Sequence, residues 1–403
     1  MLIQATEKYL LSYTVIFGLY YALLYFGQKL KKKNYHELKN IFMVFSGAFF
    51  LYSFFSLSLL KITVLSLFLT LIFYTIRGVK VKGVHIILGL VGTLFLFKLL
   101  HLQISPENYK LIHIVGFSYM VLKLIHFVID YRFGVIKDVR LSSYLSYLLF
   151  FPVFSSGPIT LFSSFNDEIT KETSFPDLFE SFVSGIKKII IGLFKVFFLV
   201  AYISPFTFFN QSEATIQSAP FYAVMLFMYA SVLNLYFNFS GYTDLAIGIS
   251  KLFGIKVNEN FNKPFLARNL QDFWQRWHIS LSTWLKTYIF MPLCKNLLGR
   301  PFFANNKFLV QPVSIFITFF IMGAWHGLEK NFLIYGFFQG MGLFLVLLWG
   351  DFLKKKKLLP RYKKLKAIGI ISWFLTFNYF ALSLVIFNAI VDDRLNFIGK
   401  LLF

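Results

Sequence analysis

The sequence predicts an all-α polytopic membrane protein with about eleven transmembrane or re-entrant helices. Three observations carry that expectation. Hydrophobic residues fill 57% of the 403 positions, with Phe alone contributing 55. A soluble chain needs a larger polar shell than that leaves. Charged residues amount to 14% and gather in clusters between long apolar runs. Many of those runs approach the roughly 20 residues that a helix needs to cross a bilayer. No stretch remains for a separate soluble domain, so residues 1–403 are expected to form one membrane domain.

The first apolar run covers residues 9–27. No positive segment precedes it and no small-residue cleavage site follows, so it reads as a span and not as a cleaved signal. Lys29, Lys31, Lys32 and Lys33 come next. Lys and Arg collect on the cytoplasmic side, which puts the N-terminus outside and this loop, 29–40, inside. Further spans are expected at 41–60, 62–77, 84–101, 111–130, 141–156, 186–208, 219–240, 308–326, 331–350 and 367–390. Residues 353–366 form a second cytoplasmic loop, with Lys354 to Lys357, Arg361, Lys363 and Lys364. The net charge of +22 is thus explained by topology and by attraction to anionic lipid heads, without nucleic acid.

The polar interludes carry more detail. Residues 163–183 are mildly acidic and read as a surface loop running into an amphipathic helix. Between Phe151 and Pro158, two prolines and a glycine interrupt an apolar stretch. Backbone freed in this way must be buried in protein or line a wet cavity, so the segment is either a helix end with a turn or a re-entrant element. Residues 238–292 are the densest mixture of apolar, aromatic and charged side chains, and Trp274, Trp277 and Trp284 fall close together there. Leu270 to Phe290 is expected as one interfacial helix, with Asp272 and Arg276 paired across one turn. No internal repeat of the kind common in secondary transporters is visible.

Candidate chemistry falls on the histidines. Of seven, His36 lies in a basic loop, and His85, His101 and His113 lie near span ends, where an amphipathic ring is comfortable. His126 shares a helix face with Lys123 and Asp130, which reads as a structural polar network or as an intramembrane ion path. His278 is followed by Ser282 one turn on, and Lys263, Arg268 and Arg276 precede it. His326 ends a strongly apolar run between Gly323 and Gly327, which permit close approach of another backbone or a substrate. A buried neutral imidazole suits a general base that takes a proton from a hydroxyl. The Gly336/Gly340 pair reads as helix packing. Cys294 is the only cysteine, so an intrachain disulfide is impossible, and packing explains it. No zinc motif, phosphate loop or nucleophile elbow is present, and no metal is expected.

Three segments, FSGYTDLAIG (239–248), ENFNKPFLARNLQDFWQRWHISLSTW (259–284) and MGAWHG (322–327), resemble the membrane-bound O-acyltransferase family. They are most similar to its bacterial branch of alginate O-acetylases and teichoic-acid D-alanyl transferases. GFSYMVLKLIHFVIDYRFG (116–134) and FFPVFSSGPIT (150–160) match that branch too, so the likeness is ordered over about residues 110–345. The first hundred residues match only in hydropathy. The resemblance implies a ring of helices around a central tunnel, with His326 catalytic and His278 the second functional histidine. Asn238, Ser240, Asp244, Trp277, Ser282 and Trp325, in or beside the same segments, are expected to line the site. No bound cofactor is implied, but a thioester donor is, either acyl-CoA or an acylated carrier protein. Lys263, Arg268 and Arg276 read either as ordinary positive-inside charge or as groups that attract this donor's phosphate or an acidic carrier on the cytoplasmic side, and an envelope partner protein is expected as well. The acceptor implied is a hydroxyl of an extracytoplasmic polymer. The acyl group stays open between D-alanyl and one outside the amino-acyl class, acetyl. FFPVFSSGP favours the former; WHISLSTW and Met291-Pro-Leu favour the latter, although CKNLLGR follows where acetylases carry a Gly-Gly-Asn-Arg-like turn. Acylation of a lipid or protein, and transport, are the alternatives.

Overall fold

The computed structural model describes residues 15–25, 35–53, 57–78, 82–103, 114, 116–172, 174–358 and 365–388. Lys29 to Lys33, His113, Arg361, Lys363, Lys364 and the N-terminus itself lie outside them. All regular structure among the described residues is helical, apart from one isolated antiparallel bridge between Phe261 and Trp277. The chain clusters into two compact units, 1–190 with 244–258, and 191–243 with 259–403.

The first unit holds α1 (Val15–Tyr25), α2 (Tyr35–Ser53), α3 (Leu59–Gly78), α4 (Gly83–Gln103), α5 (Phe117–Arg132), α6 (Leu141–Leu148), α7 (Phe162–Thr170) and most of α8 (Phe175–Leu193). Its polar side chains fasten irregular backbone in place. The Lys123 ammonium of α5 donates to the Tyr147 carbonyl at 2.9 Å, and the Tyr147 hydroxyl donates to the Thr160 carbonyl at 2.8 Å. His126 Nε2 accepts the Phe162 N–H at 3.1 Å. Between those clamps lies the Pro-Gly segment, a short 3₁₀ turn at Phe151–Val153 followed by buried coil. The segment is therefore backbone buried in protein, held by its own turn bonds at Val153 and Phe154 and by the Thr160 hydroxyl donating to the Pro158 carbonyl, because lipid offers no partner. Lys123 and His126 belong to a structural network.

α9 (Phe221–Leu252) begins in the second unit and ends in the first. Within the first unit its end crosses α8 at two glycines: a methyl group on Gly248 would stand 2.7 Å from the Gly185 carbonyl oxygen. One turn away, Lys188 and Asp244 pair at 2.7 Å. Tyr20 and Tyr21 of α1 donate to the Phe253 and Leu252 carbonyls, capping the last turn of α9 as an unsatisfied helix end requires.

The second unit contains α10 (Leu270–Arg276), α11 (Ile279–Leu285), α12 (Met291–Leu298), α13 (Val310–His326), α14 (Lys330–Lys355) and α15 (Lys366–Asn388). α13 and α14 form a seam of glycines. A methyl group on Gly323 would fall 2.7 Å from Gly336 Cα, and one on Gly340 would fall 2.9 Å from the Phe316 carbonyl oxygen. Small residues let two backbones approach in this way where lipid supplies no hydrophobic drive. A polar chain crosses the core beside the seam. Trp274 donates to Gln339 Oε1 at 3.2 Å, Gln339 donates to Ser383 at 2.6 Å, and Ser383 donates to the Phe380 carbonyl at 2.7 Å.

Seven helices among the described residues are long and apolar enough to cross a membrane: Leu59–Gly78, Gly83–Leu100, Phe175–Phe206, Phe221–Leu252, Lys307–His326, Lys330–Lys355 and Lys366–Phe387. Parts of the expected spans at 9–27, 41–60, 111–130 and 367–390 lie outside the described residues. Among the described residues, the run at 9–27 holds α1, 111–130 holds the 16 residues of α5, and 141–156 holds the 8 residues of α6 before the Pro-Gly segment breaks it. The surface loop expected from residue 163 is instead helical, as α7, and the amphipathic helix expected after it is the beginning of α8.

Candidate active site

The expected single helix from Leu270 to Phe290 does not exist. It stops after Arg276, resumes at Ile279, and passes into a π-helical turn over Lys286–Phe290. The break has a local cause. His278 sits in the left-handed region, φ 46° and ψ 53°, which a non-glycine residue enters only under constraint. The constraint comes from residues 260–262, which run antiparallel beside it. The Asn262 N–H donates to the Arg276 carbonyl at 3.0 Å, and the Ile279 N–H donates to the Asn260 carbonyl at 3.0 Å. The Asn260 side-chain oxygen then accepts the Ser280 N–H at 3.2 Å. Two orphan donors at the start of α11 are thus met by one residue remote in sequence, a helix cap supplied in trans.

The His278 ring is buried, at 4% exposure. It meets the edge of Phe239 on α9 at 4.8 Å between ring centroids. Burial holds its pKa well below the ordinary histidine range, at about 3, and the neighbouring His326 pushes it the same way. His278 is therefore a neutral imidazole at physiological pH. His326 ends α13, half-buried, with Trp325 at 4.8 Å and Phe387 of α15 at 5.1 Å. A methyl group on Gly327 would collide with the Phe332 ring and the Glu329 carboxylate. Glycine is needed there for space alone, because the backbone is extended. Two histidines from distant stretches of chain thus come into electrostatic range in an aromatic setting. One is fixed as neutral and the other sits at a helix end.

The remaining expected residues divide. Ser240 is buried, on the face of α9 that carries Tyr236 and Phe239. Those two rings contact Phe261, and Phe239 contacts His278. Residues 236, 239, 240 and 243 share one helical stripe, so Ser240 and Thr243 face the 260–278 segment. Their hydroxyls make no hydrogen bond with a described residue. Asn238 is exposed, about 200° round the helix from Tyr236, so it does not join them. Asp244 belongs to the first unit and pairs with Lys188. Trp277 is a packing residue, buried among Phe261, Phe273 and Phe380. Trp325 lies against His326.

Ser282 lines a cavity of about 330 Å³ beside α11, together with Trp274, Ile279, Thr283, Lys286 and Gln311. Neither histidine is among its lining residues. Of the three basic residues expected at a donor, Arg276 is bound to Asp272 at 2.7 Å, the pairing its spacing predicts. Lys263 holds a left-handed turn before the 3₁₀ segment Pro264–Leu266. Arg268 borders a separate cavity of about 810 Å³ with Asp351, Lys354 and Trp349. Arg268 also meets the carboxylate that Arg276 binds, its main-chain N–H donating to Asp272 Oδ2 at 3.3 Å. Asn260, Thr243 and Gln339 were missed by sequence reasoning. The first two lie inside the quoted family segments, but nothing in their spacing marks them as polar groups facing inward. Among the described residues no cluster of His, Cys, Asp and Glu is able to hold a metal ion.

A family model described as the membrane-bound O-acyltransferase family matches residues 41–388. Over 301 residues the chain is 34% identical to a teichoic acid D-alanyltransferase of Streptococcus thermophilus, an alignment covering 70% of each protein. Over 305 residues it is 34% identical to the teichoic acid D-alanyltransferase of Bacillus subtilis, covering 74% of this chain and 76% of that one. A probable alginate O-acetylase of Pseudomonas syringae pv. tomato is 29% identical over 302 residues, which is 73% of this chain but 52% of the relative.

Proposed function

The chain belongs to the membrane-bound O-acyltransferase family, and on that premise we propose that it transfers a D-alanyl group from a thioester to a hydroxyl of a cell-envelope polymer. The observation that carries the proposal is the pair of histidines, with His278 held neutral beside His326. His326 accepts the acceptor's proton as the hydroxyl oxygen attacks the thioester carbonyl. The new C–O bond forms, the C–S bond breaks, and the proton passes on to the leaving sulfur, so no oxidant or cofactor is required. His278, neutral and fixed, donates a hydrogen bond to the carbonyl oxygen as charge develops there. General-base assistance of this kind is worth about 10²–10⁴-fold, and removing one oxyanion donor costs about 10²–10³-fold.

D-alanyl is preferred to acetyl because the chain matches over more of the D-alanyltransferases' length than of the alginate relative's. The donor of this reading is an acyl-CoA or acylated carrier protein arriving from the cytoplasm, with the N-terminus of the chain outside and a further envelope protein receiving the product. The test is the identity of the ester-linked group that mild base releases from envelopes of expressing cells, compared with a His326→Ala variant. D-alanine that disappears in the variant supports the reading. Acetate that disappears keeps the mechanism and replaces the acyl group. An unchanged profile overturns the envelope-polymer reading and turns attention to lipid or protein acceptors, or to transport.

A further inference from the structure

We infer that Asn260 is the positioning residue of His278, holding the imidazole in place through the start of α11; the inference rests on the reading of His278 as part of the site. Asn260 is fully buried. Its main-chain oxygen takes the Ile279 N–H and its side-chain oxygen takes the Ser280 N–H. These are the two amides immediately after His278, and no residue of the helix itself can accept them. Because only an oxygen can accept the Ser280 N–H, the orientation of the Asn260 amide is fixed. Its nitrogen is turned away and makes no hydrogen bond with a described residue. The His278 backbone is locked on both sides, by the Asn262–Arg276 and Phe261–Trp277 pairing before it and by Asn260 after it. The left-handed region is unfavourable for a residue with a Cβ, so the turn needs such an external hold. Without it, α10 and α11 are free to join into the continuous helix that their sequence favours, and the ring swings off Phe239.

The acceptor oxygen, not the volume, is what this role requires. Asn260→Asp keeps the acceptor oxygen and gives up an amide nitrogen that has no described partner; burial keeps the new carboxyl protonated. Asn260→Leu keeps the volume and loses the oxygen, and Asn260→Ala loses both. The probe is diethyl pyrocarbonate carbethoxylation of His278, read by mass spectrometry on the full chain in native membranes, so that no activity is needed. In the wild type and the Asp variant His278 is expected to be protected. In the Leu and Ala variants its modification rate is expected to rise at least about 10-fold, the change that a 1.4 kcal/mol weaker hold produces. Transfer should follow the same split, with turnover falling about 10–100-fold in Leu and Ala while donor KM stays near wild type. Protection of His278 in all three variants overturns the inference. If Leu and Ala fail to insert, the Asp variant decides alone, since exposure of His278 there overturns it. Exposure in Leu and Ala with transfer intact upholds the positioning role and instead removes His278 from the mechanism.

Discussion

His278 combines a functional ring with a backbone that resists it. Glycine enters the left-handed region freely, whereas Ala carries the full penalty. His278→Gly is therefore expected to be more stable than His278→Ala by about 1 kcal/mol, read as the difference in thermal midpoint of the purified proteins. An Ala variant equal to or above the Gly variant shows that no strain resides at this position. The titration of His278 has a definite sign. Its folded pKa is depressed to about 3, against about 6.5 in the unfolded chain. Above pH 6.5 both states are neutral and the full stability is present. As pH falls from 6.5 towards 3, the unfolded chain takes up a proton that the folded one refuses, and stability is lost by up to about 1.4 kcal/mol per pH unit. Across that window the advantage of wild type over His278→Gln should shrink, measured as midpoint against pH. A constant gap contradicts a neutral His278. Both histidines were legible in the sequence because they stand in family segments. Asn260 was not, since a trans cap depends on two segments meeting and leaves no periodic trace.

Among the elements, the α13–α14 seam was readable and the α10–α11 break was not. Gly323, Gly336 and Gly340 are small residues at helical spacing, and the structure packs them backbone to backbone. Apolar residues at 270, 273, 274, 277, 281, 284 and 285 keep the helical period through residue 278, so hydropathy alone predicts an unbroken helix. The interruption comes from hydrogen bonds with residues 260–262, and hydropathy carries no record of those. The seam also positions His326, the last residue of α13. Gly336→Leu should force α13 from α14, lower stability by about 1–3 kcal/mol and abolish transfer. Gly350→Leu, on the same helix with open space around it, should do neither. Comparison of yield, thermal midpoint and ester formation for the two variants checks this. Equal behaviour of the pair argues against the seam as the support of His326.

For the molecule as a whole, the surface carries the same message as the composition. Leu59, Leu67, Leu71, Phe198 and Leu375 are each at least 60% exposed, and a water-soluble protein does not display so many large apolar groups on its long helices. They face lipid in an integral membrane protein, where helices must satisfy their own backbone. Hydropathy made that class legible, but it cannot distinguish lipid-facing apolar residues from those buried in protein, as at 141–156. The central claim is that His326 carries acyl transfer to an envelope hydroxyl. Its most direct test is the rate at which ester-linked D-alanine appears in envelopes from cells making wild-type or His326→Ala protein, normalised to inserted protein. The account predicts a loss of at least about 100-fold in the variant at equal insertion; an unchanged rate of D-alanine incorporation contradicts it.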